Sequence, residues 1–427
     1  MKSKIQQLEH GLNKCFDRFK RNIADRQIRN YDLDWLLDES KNIYVPDHFM
    51  LCEIGETRLQ SILNRLLAYI APKLWYWFFL EKFYKNIFVV IKKKFINQLF
   101  IDLPEDLHLY KTKYLKKIDK LFKKPMSQMR YASFTDLFKF LSETAYVLID
   151  ILNIDPDSYK KEKQLHNQEC LGIYKEIKAE LWSRPNRFEL ICYLALRANW
   201  IDCVEDNVSS FLLAFKEEIN QLIDSDNDLE IQKTYNPCYH LSKINAALRL
   251  APQTILYELD NCGEVILDLL FVEVLITAGH KVTLCTKKAP IINDVTESDL
   301  VALMTTPELL HLNKYISEGT LKIINNNSIV AGKYIFDVSD AYKQAYKGST
   351  FVILKGQGNF QAMPLGRRIC KKFLPYRYKK PIIYMMGVKA NLIWLGLRSI
   401  FSCQNVPDIQ SHFMYFFDPS DPETYPK

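Results

Sequence analysis

Glycine is scarce in the first 260 residues. Of 13 glycines in the 427-residue chain, only Gly11, Gly55 and Gly172 precede residue 260. Glycine avoids helix interiors and gathers in α/β turns, where positive φ or close backbone approach is needed. That distribution predicts a mainly helical chain up to residue 250 and an α/β region after it. The ten cysteines stand singly, with no Cys-x-x-Cys and no Cys/His cluster, which excludes a zinc finger or knuckle. Their scatter also argues against a disulfide scaffold and for a reducing compartment. No apolar run is long enough to span a bilayer. The most apolar stretch, Leu74 to Leu80, lies between Lys73 and Glu81. The first residues, Met1-Lys2-Ser3-Lys4-Ile5, lack the apolar core of an export signal. These absences together predict a soluble, cytoplasmic protein. At 48% hydrophobic and 25% charged residues, the chain is neither disordered nor collagenous nor a coiled coil. Its length implies two or three domains and a sizeable core.

The net charge of +7 is unevenly placed. Residues 73–124 hold 13 lysines against 5 acids, and 367–380 hold Arg367, Arg368, Lys371, Lys372, Arg377, Lys379 and Lys380 with no acid. The first patch is either a solvated helix face or a surface for anionic lipid or an acidic protein partner. No nucleic-acid partner is expected.

Apolar residues at 3.6-residue spacing mark helices. Ile5, Leu8, Leu12, Phe16, Phe19 and Ile23 form one stripe, and Leu137, Phe140, Leu141 and Ile149 belong to another. A further helix is expected from Arg187 to Leu196, and a polar linker at Asp224–Thr234. From Thr254 the pattern changes. Strands are expected at Thr254–Leu259, Lys281–Cys285, Leu321–Ile324, Thr350–Leu354 and Pro381–Met386. Between the first two lies an amphipathic helix, Glu264–Ala278, stopped by Gly279. Thr296 and Asp299 form a capping box for a helix at Ser298–Met304. Alternating strands and helices predict an α/β fold with a mainly parallel sheet. The expected division is a helical region at 1–185 and an α/β domain at 186–427 with a helical lead-in at 186–250.

Ligands of open α/β sheets bind outside the carboxyl ends of the strands. Following the expected strands come Asp260-Asn261-Cys262-Gly263, then Asn293-Asp294, then Lys355-Gly356-Gln357-Gly358-Asn359, then Gly387 and Lys389. Asp260, Asn261 and Asp294 offer hard oxygen donors, suited to Mg²⁺ or Mn²⁺ rather than structural Zn²⁺. Gly263 at a helix start would let the backbone approach an anion. Lys355, on a loop with two glycines, would wrap a phosphate. A metal, a lysine and amide donors are what phosphoryl transfer to water requires. Taken singly, Asp-Asn after a strand is a turn or cap. No Gly-x-Gly-x-x-Gly marks a dinucleotide site, and Cys262 stands where a haloacid-dehalogenase-type phosphatase needs its second aspartate. The eight histidines read as surface residues, and Cys262 and Cys203 lack a basic partner that would make them nucleophiles.

Asp260-Asn261-Cys262-Gly263-Glu264, Pro290-Ile291-Ile292-Asn293-Asp294-Val295-Thr296 and Lys355-Gly356-Gln357-Gly358-Asn359-Phe360 resemble successive motifs of the metal-dependent damage-control phosphatases, long catalogued as domain of unknown function 89. Asn199 and Asp202, in Ala198-Asn199-Trp200-Ile201-Asp202, resemble a further motif of that family. The resemblance covers about residues 187–395, and residues 1–160 match only as a generic helical region. It implies a helical N-terminal region packed on a three-layer α/β/α sandwich, and a divalent cofactor (Mg, Mn, Co or Ni) held by Asp260, Asn261 and Asp294. It also implies catalytic roles for Asp260, Lys355 and Asp294, Asp260 either attacking phosphorus or only holding metal. Asn199, Asp202, Gly263, Gly356, Gly358, Asn359 and Lys389 would bind substrate, a small phosphorylated metabolite. Three departures stand out: one branch's Cys-x-x-Cys is missing, Gln361 replaces a common glutamate, and Ala390 replaces a common cysteine. None removes an implied metal ligand. The alternatives are a scaffold that recognises phosphate without turnover, or a carboxyl methyltransferase, for which no S-adenosylmethionine loop is visible.

Overall fold

The computed structural model describes residues 7, 10–11, 13–21, 35–36, 134–152, 155–157, 159–201, 217, 240–369, 372–389, 391–401 and 411–426. Asp202, Cys203, the basic stretch at 73–124 and the linker at 224–234 lie outside them. The chain forms two compact units, one of residues 1–31, 45–156 and 390–392, the other of 32–44, 157–389 and 393–427.

In the first unit, helix α1 (Phe134–Leu152) carries the second apolar stripe. Phe140 packs on Phe19 with ring centroids 5.1 Å apart, and Glu143 takes Arg18 at 3.0 Å.

The second unit contains α2 (Lys160–Trp182), α3 (Arg187–Ala198), α4 (Leu241–Arg249), β1 (Thr254–Glu258), α5 (Glu264–Thr277), β2 (Lys281–Thr286) and α6 (Glu297–Leu303). There follow β3 (Leu321–Asn325), α7 (Asp340–Gly348), β4 (Phe351–Lys355), α8 (Gly356–Ala362), β5 (Gly366–Ile369), β6 (Lys372–Pro375), β7 (Ile382–Gly387), α9 (Asn391–Ile400) and β8 (His412–Phe417). Among the described residues the main sheet runs β3-β2-β1-β4-β7-β8. Its pairs are parallel except β7 with β8. The chain builds outward from β1 to β3, then returns to place β4 on the other side of β1. The switch point between β1 and β4 is therefore the expected crevice.

The five expected strands are present with ends shifted by a residue or so, and the Thr296–Asp299 capping box is formed. Gly279 closes α5 at φ +94°. Three features differ from expectation. The last strand, β8, is antiparallel, and its apolar run His-Phe-Met-Tyr-Phe-Phe lacks the strand–helix punctuation that marked the others. Helix α5 is buried from Glu264 to Ile276 rather than amphipathic. It lies between the sheet and helices α2 and α3, and a helix enclosed on all sides is apolar on all sides. Helix α2 belongs to the α/β unit, and Cys170, Tyr174, Ile177 and Leu181 carry it into the same core as α5.

The expectation of surface histidines is corrected too, since His166, His280 and His412 are buried. Burial, with Arg197 adding, pushes His412 down to about 3, and its Nε2 lies 2.8 Å from Arg197 Nη1. Burial likewise pushes His240 down to about 4. Above pH 6.5 folded and unfolded chains both hold His412 neutral. Below that value the unfolded chain takes up a proton that the folded chain refuses until about pH 3. Stability is thus present above pH ~6.5 and falls with pH by roughly 1.4 kcal/mol per unit for such a group. His412→Gln keeps an acceptor for Arg197 without titrating. Its urea midpoint is expected to fall less steeply than that of the natural protein between pH 6.5 and 4.5, and parallel curves would contradict the assignment.

Candidate active site

Strand β1 delivers Asp260 and Asn261 to the switch point. The chain then turns at Gly263, at φ +84°, into α5. Asn261 forms an antiparallel bridge with Asp294, and the Val295 amide donates to the Asp260 carbonyl at 2.8 Å. The segment after β2 therefore lies against the segment after β1, bringing the Asp-Asn and Asn-Asp motifs together although they are 34 residues apart (294 − 260). Ile292, two positions before Asp294, has φ +46°, a conformation that disfavours a β-branched side chain.

Asn199 caps the end of α3 and joins four elements. Its Nδ2 donates to Asp260 Oδ2 at 3.0 Å and to Glu264 Oε2 at 2.9 Å. Its Oδ1 accepts from the Gly387 amide, at the end of β7, at 2.9 Å. Asn261 adds a second donor to Asp260 Oδ2 at 3.2 Å, and its own amide donates to Glu264 Oε1 at 3.0 Å. Gly356, at φ +75°, brings the start of α8 so close that a Cβ there would sit 1.7 Å from Asp260 Oδ2. Only glycine fits.

Asn199, Asp260, Asn261, Asp294 and Gly356 thus meet at the switch point, while other residues lie elsewhere. Lys355 and Gly356 form a strand-to-helix turn, not a phosphate-wrapping loop. Lys355 is fully buried and points beneath the site. Its Nζ is 2.6 Å from Asp268 Oδ1 and donates to the Ala195 carbonyl. Gly263 does not offer its amide to an anion: Asn167 Oδ1, from α2, accepts it at 2.6 Å. Asn359 is buried, and its Nδ2 donates to the Leu259 and Lys355 carbonyls at 3.2 and 2.9 Å, so it pins α8 to the sheet. Gly358 is small because the 331–332 backbone packs on it, 2.7 Å from where a Cβ would be. Lys389, partly exposed, lies 5.9 Å from the Trp200 ring centroid.

Three site residues were not singled out from the sequence. Asp268 interrupts the apolar run of α5, and Tyr257 also donates to its Oδ1 at 2.8 Å. Carboxylates at 264, 268 and 273 in an otherwise apolar helix are the available signal. Glu264 sits at the start of α5, where an acid is commonplace. Lys287, just past β2, is buried with its Nζ 3.4 Å from the Leu259 carbonyl, 3.5 Å from Asn359 Oδ1 and 3.6 Å from Asp294 Oδ2.

Four buried carboxylates (Asp260, Glu264, Asp268, Asp294) therefore face two buried ammoniums (Lys287, Lys355). Burial pushes Glu264 up to about 8, with Lys355 opposing and Asp260 and Asp268 reinforcing the rise. Burial raises Asp268 as well, against the pull of Lys355, while Asp268 and Glu264 overcome burial to hold Lys355 charged. Surplus negative charge at a strand-end crevice, built from carboxylate and amide oxygens, fits a hard divalent cation. Among the described residues no three His, Cys, Asp or Glu side chains gather as metal ligands; the Asp260–Asn261–Asp294 set contributes two carboxylates and an amide. Cys262 is buried, and burial holds its thiol well above the ordinary value, which suits an inert residue.

Together the fold and this cluster define an α/β protein with an acidic, oxygen-lined site at the switch point of a mostly parallel sheet. The chain belongs to the damage-control phosphatase ARMT1-like family, whose domain model matches residues 84–394. Over 235 residues it is 27% identical to the damage-control phosphatase PH1575 of Pyrococcus horikoshii, spanning 54% of this chain and 67% of that protein. The crystal structure of a DUF89 family protein, PH1575 from the same organism, matches with a TM-score of 0.50 at 20% identity, covering 73% of this chain and 91% of the other. That likeness concerns the fold. No described helix is long and apolar enough to cross a membrane.

Proposed function

We propose that the protein is a metal-dependent phosphatase that hydrolyses monoesters of small phosphorylated metabolites, such as sugar phosphates. The observation that carries this reading is the convergence of Asp260, Asn261 and Asp294 at the switch point, with Asp260 held by Asn199 and bordered by Gly356. A divalent ion held by those three residues would supply positive charge against the phosphate oxygens. The chain's own contribution is rigidity. Asn199 cannot rotate without losing the Gly387 amide, so Asp260 and Glu264 stay where the fold puts them. Lys355 acts indirectly, by balancing Asp268 and Glu264 below the site. Lys389, 5.9 Å from the Trp200 ring centroid, would be the lysine that meets a substrate's negative charge.

Purified protein is expected to release phosphate from p-nitrophenyl phosphate or from a sugar-phosphate panel in Mg²⁺, Mn²⁺, Co²⁺ or Ni²⁺, and to stop on chelation. Silence across the panel with all four ions would contradict turnover and leave a scaffold that only recognises phosphate.

A further inference from the structure

At the opposite end of the strands from Asp260, where Pro252 precedes β1 and His280 precedes β2, lies a half-open cavity of about 590 Å³, with Arg187 and Arg249 exposed at its surface. Arg184, Arg187 and Arg249 line it, together with the buried apolar residues Phe188, Leu248 and Val274. No carboxylate is among its lining residues. Among the described residues, only Arg249 of the three has a carboxylate partner, Glu189 Oε1 at 3.0 Å. Arg187 donates to the Trp182 carbonyl at 3.3 Å, and its guanidinium lies 5.3 Å from the Trp182 ring. Neither bond neutralises it. Arg184 makes no ion pair among the described residues, so three guanidiniums face one carboxylate. His280 adds no charge, because burial lowers its proton affinity and its Nδ1 accepts the Gln253 amide at 2.9 Å.

The volume falls within the roughly 300–1,000 Å³ usual for small-molecule sites. Guanidinium forks match carboxylate and phosphate oxygens in pairs, and the buried Phe188, Leu248 and Val274 suit a carbon skeleton rather than a bare inorganic ion. We propose that this cavity is a second ligand site, separate from the phosphatase site, which takes a small organic anion bearing phosphate or carboxylate. The cavity adjoins the start of α3 and the end of α5, the helices whose other ends carry Asn199 and Glu264.

The test is calorimetric titration of the whole chain, stripped of metal beforehand and exchanged into chelator-free buffer so that turnover is prevented, with phenyl phosphate, adenosine monophosphate and citrate as separate probes. At least one is expected to bind saturably at millimolar concentration or below. Citrate binding alone would assign a carboxylate ligand, and binding of the two phosphates alone would assign a phosphate ligand. Arg184→Ala/Arg187→Ala is expected to weaken that binding at least tenfold while leaving the thermal midpoint and the metal-dependent phosphatase rate unchanged. Should the double variant fail to fold, Arg249→Gln must lower the affinity instead. Absence of saturable binding by all three probes would overturn the proposal, and so would affinity unchanged within twofold in the arginine variants. Because binding is read without metal, a failure of the phosphatase reading leaves this result interpretable.

Discussion

Lys355→Met is expected to destabilise the α/β unit by roughly 3–5 kcal/mol, because it leaves Asp268 charged and uncompensated in the interior. Lys355 and Asp268 are both fully buried, and their contact at 2.6 Å is shared with Tyr257 at 2.8 Å. Burial disfavours the charged form of either partner alone, while the pair offsets most of that penalty. The double variant Lys355→Met/Asp268→Leu should therefore recover much of the loss. It will fall short by about 1–3 kcal/mol, because the buried Tyr257 hydroxyl loses its acceptor. Urea or thermal midpoints of the two variants provide the check. A Lys355→Met protein as stable as the natural one would mean that Asp268 is already neutral in the fold. Any turnover measured in the single variant reports the folded fraction as well as chemistry, so the midpoint must be measured first.

Gly356→Ala has the opposite signature, a large loss of turnover with a modest loss of stability. An added Cβ would lie 1.7 Å from Asp260 Oδ2 and 2.2 Å from its Cγ. Positive φ at this position costs a non-glycine residue roughly 1–2 kcal/mol. The carboxylate must then swing away or α8 must move, and a displacement of about 1 Å at a reacting group can cost about 100-fold in rate. Gly172→Ala is the matched control. Gly172 lies inside α2 with nothing within 4 Å of an added Cβ, and the exchange should stabilise by up to about 1 kcal/mol with turnover unchanged. A Gly356→Ala protein as active as this control would contradict the placement of Asp260.

Much of this site is legible in sequence because strand ends announce themselves. Thr254–Glu258 is a β-branched and aromatic run that stops at Asp260-Asn261. The parallel topology then carries Asn293-Asp294 and Lys355-Gly356 to the same edge. Side-chain direction is what periodicity does not convey. Lys355 ends its strand at the correct edge, yet its chain runs under the sheet end to Asp268, a partner 87 positions away. Gly263 has the conformation expected of an anion loop, but α2, distant in sequence, fills the space with Asn167. Asn359 and Gly358 belong to the most recognisable motif of all, and both serve close packing. Long-range partners of this kind follow from tertiary structure, and no local pattern around residue 355 points to residue 268.

In the proposed function, Asp260, Asn261 and Asp294 form one cation site. The most direct measurement is the thermal midpoint of the natural protein, Asp294→Ala and Asp260→Ala across a titration of Mg²⁺ or Mn²⁺, alongside phosphate release. At about 100 times its dissociation constant, a bound ion stabilises the fold by roughly 2.7 kcal/mol. The natural protein should show that rise in midpoint together with turnover, and both should vanish in each aspartate variant. Retention of the full metal-dependent rise and near-normal turnover by Asp294→Ala would show that Asp294 merely shapes the loop before α6, and would contradict the site.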